Sequence, residues 1–262
     1  MADNEDYWVR HAIRMVKSTY GDVVSVDAKN KSLHKFGENL LVGTSVATIM
    51  TLPAGEVAET YVASNIITHV SSSDSGDDQV AAVEGHTISG SDLTFVTQNV
   101  TLNGQTKVAL DTALARCSRV ANSGASDFAG TIYVFEDGTL TAGVPDTAAQ
   151  IHLTVPVGEN RSQKAATSFS SVDYCFVTNI HASVNEKTAT SANIRFRVRS
   201  IGGVFQTVFN SGIHSSGTDL NIHFRPFLIV PTNSDVIMTA EADGASKDIA
   251  AGFNSLLAAV QS

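Results

Sequence analysis

The sequence predicts an all-β protein: two antiparallel β-sandwich or jelly-roll domains in tandem, preceded by an N-terminal amphipathic helix and an extended arm. Three observations carry this. From about residue 40 onward, short apolar runs alternate with turn residues at regular spacing, the pattern of sandwiches and jelly rolls. The chain is 43% hydrophobic but only 16% charged, and it is rich in small residues, which suits β layers with much covered surface. Helical periodicity is confined to the first twenty residues. A length of 262 residues fits one large or two modest domains.

The N-terminal helix has a cap in Asp3 or Asn4, and Glu5 and Asp6 suit its positive end. Val9, Ile13, Val16 and Tyr20 recur at helical spacing, Trp8, Ala12 and Met15 widen that face, and Gly21 stops the helix. A lone amphipathic helix ahead of a β domain either folds back or reaches for a neighbour, and Trp8, Val9, Ile13 and Val16 are its candidate interface residues. "DVVSVDAKNKSLHKFGENLLVG" continues as an extended arm, so residues 1–39 form helix and arm.

Residues 40–137 form the first expected sandwich. Its runs are "VATIMTL", "YVASNIITHVSSS", "QVAAVEGHTI", "LTFVTQNVTL", "QTKVAL", "ALARCSRVANS" and "GTIYVFED". Asn103-Gly104 between Thr-rich runs signals a type I′ hairpin, whose two central residues need positive φ. Residues 138–149, "GTLTAGVPDTAA", read as the linker. Residues 150–262 supply the second sandwich through "QIHLTVPV", "YCFVTNIHASVN", "NIRFRVRS", "GGVFQTVFNSGIH", "LNIHFRPFLIV", "DVIMTAEA" and the tail "IAAGFNSLLAAV", which its glycine and flanks favour as a strand over a helix.

Composition bounds the chemistry. A net charge of −9 and a pI of about 5.2 oppose nucleic-acid binding. Cys117 and Cys175 lack metal or redox spacing and read as reduced core thiols. The acidic N-terminus lacks a signal-peptide core, and no run reaches membrane-spanning length. The expectation is therefore assembly in a reducing cytoplasm, with no membrane partner. Eight histidines are scattered without ligand spacing, and neither a G-x-S-x-G elbow nor a phosphate-binding glycine loop occurs. "DSGDD", with Asp74, Asp77 and Asp78, reads as an acidic turn before it reads as a calcium loop. Glu56 and Glu59 lack the aromatic platforms of a glycoside hydrolase. No catalytic, cofactor or metal residue is assigned, and the expected protein is not an enzyme.

One stretch demands a role. In "NIRFRVRS", Arg195, Arg197 and Arg199 fall on one face of a strand, and Ile194, Phe196 and Val198 on the other. "DVIMTAEA" sets Asp235 and Glu241 on a single face in the same way. Acids and bases on adjacent strands pair across the ladder at about 0.2–1 kcal/mol each. The favoured reading is a mixed-charge sheet face, solvated or packed on another subunit, ahead of an anion site or nucleic-acid contact.

"QKAATSFSSVDYCFVTNIHASVN", "GGVF", "FRPFLIVPTNSDVIMTAEADG" and a closing "AGF" resemble the C-terminal jelly roll of virion structural proteins of tailed bacteriophages, chiefly marine ones. "VSSSDSGDD", "VEGHTI" and "VTLNGQTKVAL" resemble the same group in the first half. The resemblance spans about residues 40–255 and implies a capsid decoration or cement protein, located in the virion. The alternative it leaves open is a tail-fibre or head-fibre component that binds host surface glycan. The implied partners are its own copies, with a trimer as the first expectation, and a phage shell or tail protein. No active-site residue is implied.

Overall fold

In the computed structural model, residues 31–51, 59–186, 190–215, 219–244 and 246–259 are described. The expected helix, with Trp8, Val9, Ile13 and Val16, lies outside them. The strands in chain order begin with β1 (Lys31–Val42), β2 (Ala47–Thr48), β3 (Ile67–Ser72), β4 (Val80–Ser89), β5 (Asp92–Thr101) and β6 (Val108–Leu114). Next come β7 (Arg116–Asn122), β8 (Ile132–Glu136), β9 (Leu140–Thr141), β10 (Val144–Pro145), β11 (Ile151–Val155) and β12 (Ala166–Phe169). The last are β13 (Asp173–Val184), β14 (Ser191–Ser200), β15 (Gln206–His214), β16 (Leu220–Val230), β17 (Ser234–Ala242) and β18 (Lys247–Ala259). The protein is all-β, as expected, and its strands pair antiparallel.

One sandwich faces the sheet β5-β4-β7 against the sheet β11-β8-β3-β6. Their shared core includes Val83, Leu114, Val120, Val134 and Leu153. The other faces β1-β18-β13-β16 against β12-β17-β14-β15, with β2 added beside β17. Its core holds Ile180, Ile194, Phe196, Met238 and Phe253. The Phe196 and Phe253 rings meet edge to face, with centroids 5.2 Å apart, a favoured aromatic geometry. Complete burial of such side chains stabilises by about 1.5–3 kcal/mol each.

The sheets correct the expected domain boundaries. Lys31–Val42, read mostly as arm, is a strand paired with β18 from Lys31 to Val42. Its inward positions are Leu33, Lys35, Gly37 and Asn39, too polar and small to show as an apolar alternation. Ile151–Val155, assigned to the second domain, pairs with β8 of the first, because five consecutive buried residues complete that sheet. The linker at 138–149 instead carries the small β9–β10 hairpin and a 3₁₀ turn, Ala148–Gln150. The arrangement is thus nested: β3–β11 build one sandwich between β2 and β12 of the other.

The Asn103-Gly104 hairpin is also corrected. Thr106 N–H does bond to the Asn103 carbonyl at 3.0 Å, closing a turn. Only Gly104 has positive φ, at 52°, and β5 and β6 leave that turn for different sheets. A Cβ on Gly104 would also strike the backbone of Ser75, so glycine is required by both dihedral and space.

Candidate functional site

Strand β7 is the seam between the sandwiches. It is the edge of its own sheet, and partners from β1 of the other sandwich and from the segment that joins β11 to β12 complete its polar groups. Lys35 Nζ donates to the Ser118 carbonyl at 2.5 Å. Lys164 Nζ donates to the Cys117 carbonyl at 2.7 Å and to Glu59 Oε1 at 2.5 Å. Val120 and Ser162 exchange bonds, N–H to hydroxyl at 3.0 Å and N–H to carbonyl at 2.9 Å. Desolvation lowers the Lys35 ammonium to about 7, with Lys164 as the next cause.

The arginine row meets this seam. Asp235 on β17, fully buried, accepts Arg116 Nε on Oδ1 at 2.9 Å and Arg116 Nη2 on Oδ2 at 3.2 Å. Ser168 Oγ donates to Oδ1 at 2.6 Å, and Arg199 donates to Oδ2 from Nε at 2.9 Å and Nη2 at 2.8 Å. Burial resists ionisation of this carboxyl, but the bonds from Arg116, Ser168 and Arg199 hold it below the usual carboxylate range. Arg199 also lies over the Tyr61 and Phe205 rings, 4.2 and 4.5 Å from their centroids. Burial, with Glu59 and Asp235 nearby, pushes the Tyr61 phenol well above its ordinary range.

Arg195 Nη2 donates to Glu241 Oε2 at 2.5 Å on a half-exposed face. Arg197 stands over the Phe205 ring at 5.7 Å. The expected pairing of Arg195 and Arg199 with Glu241 and Asp235 is therefore present within the chain. Arg116 was missed, although an arginine at the centre of the otherwise small and apolar run "TALARCS" is the signal that marks it.

This arrangement clamps and does not react. Asp235 has both oxygens occupied by charged or hydroxyl donors, so it has no lone pair aimed at a substrate. At "DSGDD", Asp77 is buried and spends its carboxylate on Ser72 Oγ at 2.5 Å, Ala129 N–H at 2.7 Å and Gly130 N–H at 2.9 Å. It organises two loops instead of presenting oxygens to a cation. Among the described residues no group of three or more His, Cys, Asp or Glu is placed to hold a metal ion. Cys117 and Cys175 are buried free thiols, and burial pushes each to about 12. Among the described residues no helix is long and apolar enough to cross a membrane.

No protein-family model matches the chain, and no curated protein matches it. Among solved structures it is similar to the infectious bursal disease virus VP2 subviral particle, at 13% identity and a TM-score of 0.22, over 92% of this chain and 73% of that one. It is similar also to the Gt strain of that virus, at 13% identity and a TM-score of 0.20, over 95% and 82% of the two chains. Particles with T=1 geometry derived from infectious bursal virus give 12% identity and a TM-score of 0.19, over 91% and 75%. These neighbours are β-rich viral capsid proteins, and likeness at such scores carries no argument about role.

Proposed function

We propose that the protein is a non-enzymatic virion structural protein of a tailed bacteriophage, a capsid decoration or cement protein that associates with its own copies on a shell. The observation that carries this is the edge strand β15. It is nine residues long, "QTVFNSGIH", stands at the end of the strand order β12-β17-β14-β15 with no second neighbouring strand among the described residues, and has most of its residues exposed. It carries no Lys, Arg, Asp, Glu or Pro, the residues by which monomeric proteins blunt such edges. Val208 is 44% exposed, and Val204 just before the strand is 78% exposed. A bare, uncharged edge with apolar neighbours is built to accept a strand from another chain. The clamped seam supports the same reading, since a shell component needs a rigid body and no reacting groups.

Sedimentation of the purified chain, with counting of copies in purified particles, tests this. Concentration-dependent association lost in Val208→Lys, with circular dichroism unchanged, and hundreds of copies per particle are the expected results. A chain that stays monomeric at all concentrations, or that is present in a handful of copies, overturns the decoration reading.

A further inference from the structure

Between β1, β4, β7 and β12 the sandwiches leave a cleft of about 660 Å³, a volume that suits one small ligand. Its charge opposes that of the whole chain. Lys35, Arg119 and Arg161 line it against two acids, Glu84 and Asp173, in a protein of net charge −9. Both acids are already engaged: Arg119 Nη2 donates to Glu84 Oε1, and Ser170 Oγ donates to Asp173 Oδ2 at 2.7 Å. Neither Lys35 nor Arg161 makes an ion pair with a carboxylate among the described residues. Lys35 reaches only the Ser118 carbonyl, and the Arg161 guanidinium lies over the Phe36 ring at 5.3 Å.

Polar atoms without partners gather on the same walls. His86 Nδ1, Ser118 Oγ, Arg119 Nε and Arg161 Nε have no hydrogen-bonding partner among the described residues. His86 and Ser118 are only 3% and 4% exposed, and buried polar groups in native proteins are nearly always satisfied. Burial lowers the His86 imidazole to about 4, so at neutral pH it offers one donor and one acceptor, as a hydroxyl requires. The half-exposed Phe95 ring adds an apolar wall.

We propose that this cleft binds a small hydroxylated carboxylate of the sugar-acid class, with Arg161 and Lys35 on the carboxylate and His86 and Ser118 on hydroxyls. A planar guanidinium matches a carboxylate, and a neutral imidazole beside a hydroxyl matches a sugar ring. The site requires no second copy of the chain and stands apart from the assembly role. It also has a pH signature. Lys35 faces Lys164, Arg119, Glu84 and Glu59, with His34, His86, Arg161 and Asp173 on the other walls. Its ammonium loses its proton near 7 in the free protein, so affinity for a carboxylate falls as pH rises through that value. His34, lowered by burial and by Arg161, charges only at lower pH and acts in the same direction.

Calorimetric titration of the full chain with glucuronate and galacturonate at pH 6, with glucose and inorganic sulfate as controls, tests the proposal. Saturable binding of at least one sugar acid is expected, with weaker binding at pH 9 and no comparable binding of glucose. Arg161→Gln, which removes a half-buried cation and its contact with the Phe36 ring, should weaken the affinity at least tenfold while near-ultraviolet circular dichroism stays native. Lys35→Met should remove the fall in affinity near pH 7 and leave only the change due to His34 at lower pH. The proposal is overturned by the absence of saturable heat with both sugar acids, by equal binding of glucose, by an affinity unchanged in Arg161→Gln, or by a response that sulfate alone reproduces.

Discussion

Asp235 is balanced by two guanidinium groups and a hydroxyl, and its side chain has no exposure, with Arg116 at 5%. Removing one partner from such a buried set strands the others, at about 3–5 kcal/mol, whereas an exposed pair contributes about 0.2–1 kcal/mol. Asp235→Ala should therefore cost about 3–5 kcal/mol, and Glu241→Ala, which frees the half-exposed Arg195, less than about 1 kcal/mol. Urea midpoints at unchanged m-values measure both, and equal costs would show that the Asp235 cluster is solvated. Lys35 gives a pH test. Its pKa falls from 10.5 in the ordinary state to about 7 in the fold, so between those values the unfolded chain binds more protons. Stability contributed by this group is present above about 10.5 and lost as pH falls through about 7. The melting temperature should rise more steeply between pH 7 and 10 in the native protein than in Lys35→Met. Parallel profiles would place Lys35 in water.

Strand β1 is where sequence and structure part most clearly, and it supplies a test. Its inward Lys35 and Asn39 are buried, and each donates to a carbonyl of another strand: Lys35 Nζ to Ser118, and Asn39 Nδ2 to Thr48 at 2.7 Å. A chain starting at Asn39 should then lose cooperative melting or precipitate, because it uncovers β18 along most of its length. A soluble truncation with a native-like melt would make β1 dispensable. No local pattern can show this strand, since the partners that make Lys35 tolerable lie 83 residues away. The same holds for Arg116, whose acid is 119 residues distant. What was legible is alternation within a strand. Arg195, Arg199, Asp235 and Glu241 could be matched because each strand sorted its charges onto one face. Ile194 and Phe196 on the opposite face are fully buried, as that sorting requires. The hairpin at Asn103-Gly104 misled because turn chemistry fixes a reversal and not which sheet each flank joins.

The whole molecule is asymmetric in its dependence. Among the described residues, the buried core of the β3–β11 sandwich lies between Ile67 and Val155, with half-buried Val62 packed against it, so that unit draws its apolar core from one continuous stretch. The other draws Val42, Ala47 and Ile49 from before the insertion and the rest from Ala165 onward. Its β18 needs β1 as a neighbour, and β17 needs β2. Between the two lies a polar seam, where Lys35, Lys164 and Arg116 are held by carbonyls and acids. When the units separate, those groups regain water, so the seam orders the sandwiches without supplying much of either one's stability. A fragment of residues 59–163 should accordingly fold alone, with a cooperative melt and protected amides in β3, β4, β7 and β8. A fragment of residues 164–262 should not, because it lacks the first-strand edge and part of its core, and adding residues 31–51 in trans should rescue it in proportion to their concentration. Cooperative unfolding of the 164–262 fragment by itself would show that β1 and β2 are accessories. Failure of the 59–163 fragment would show that the seam, and not the apolar core, holds the inserted sandwich together.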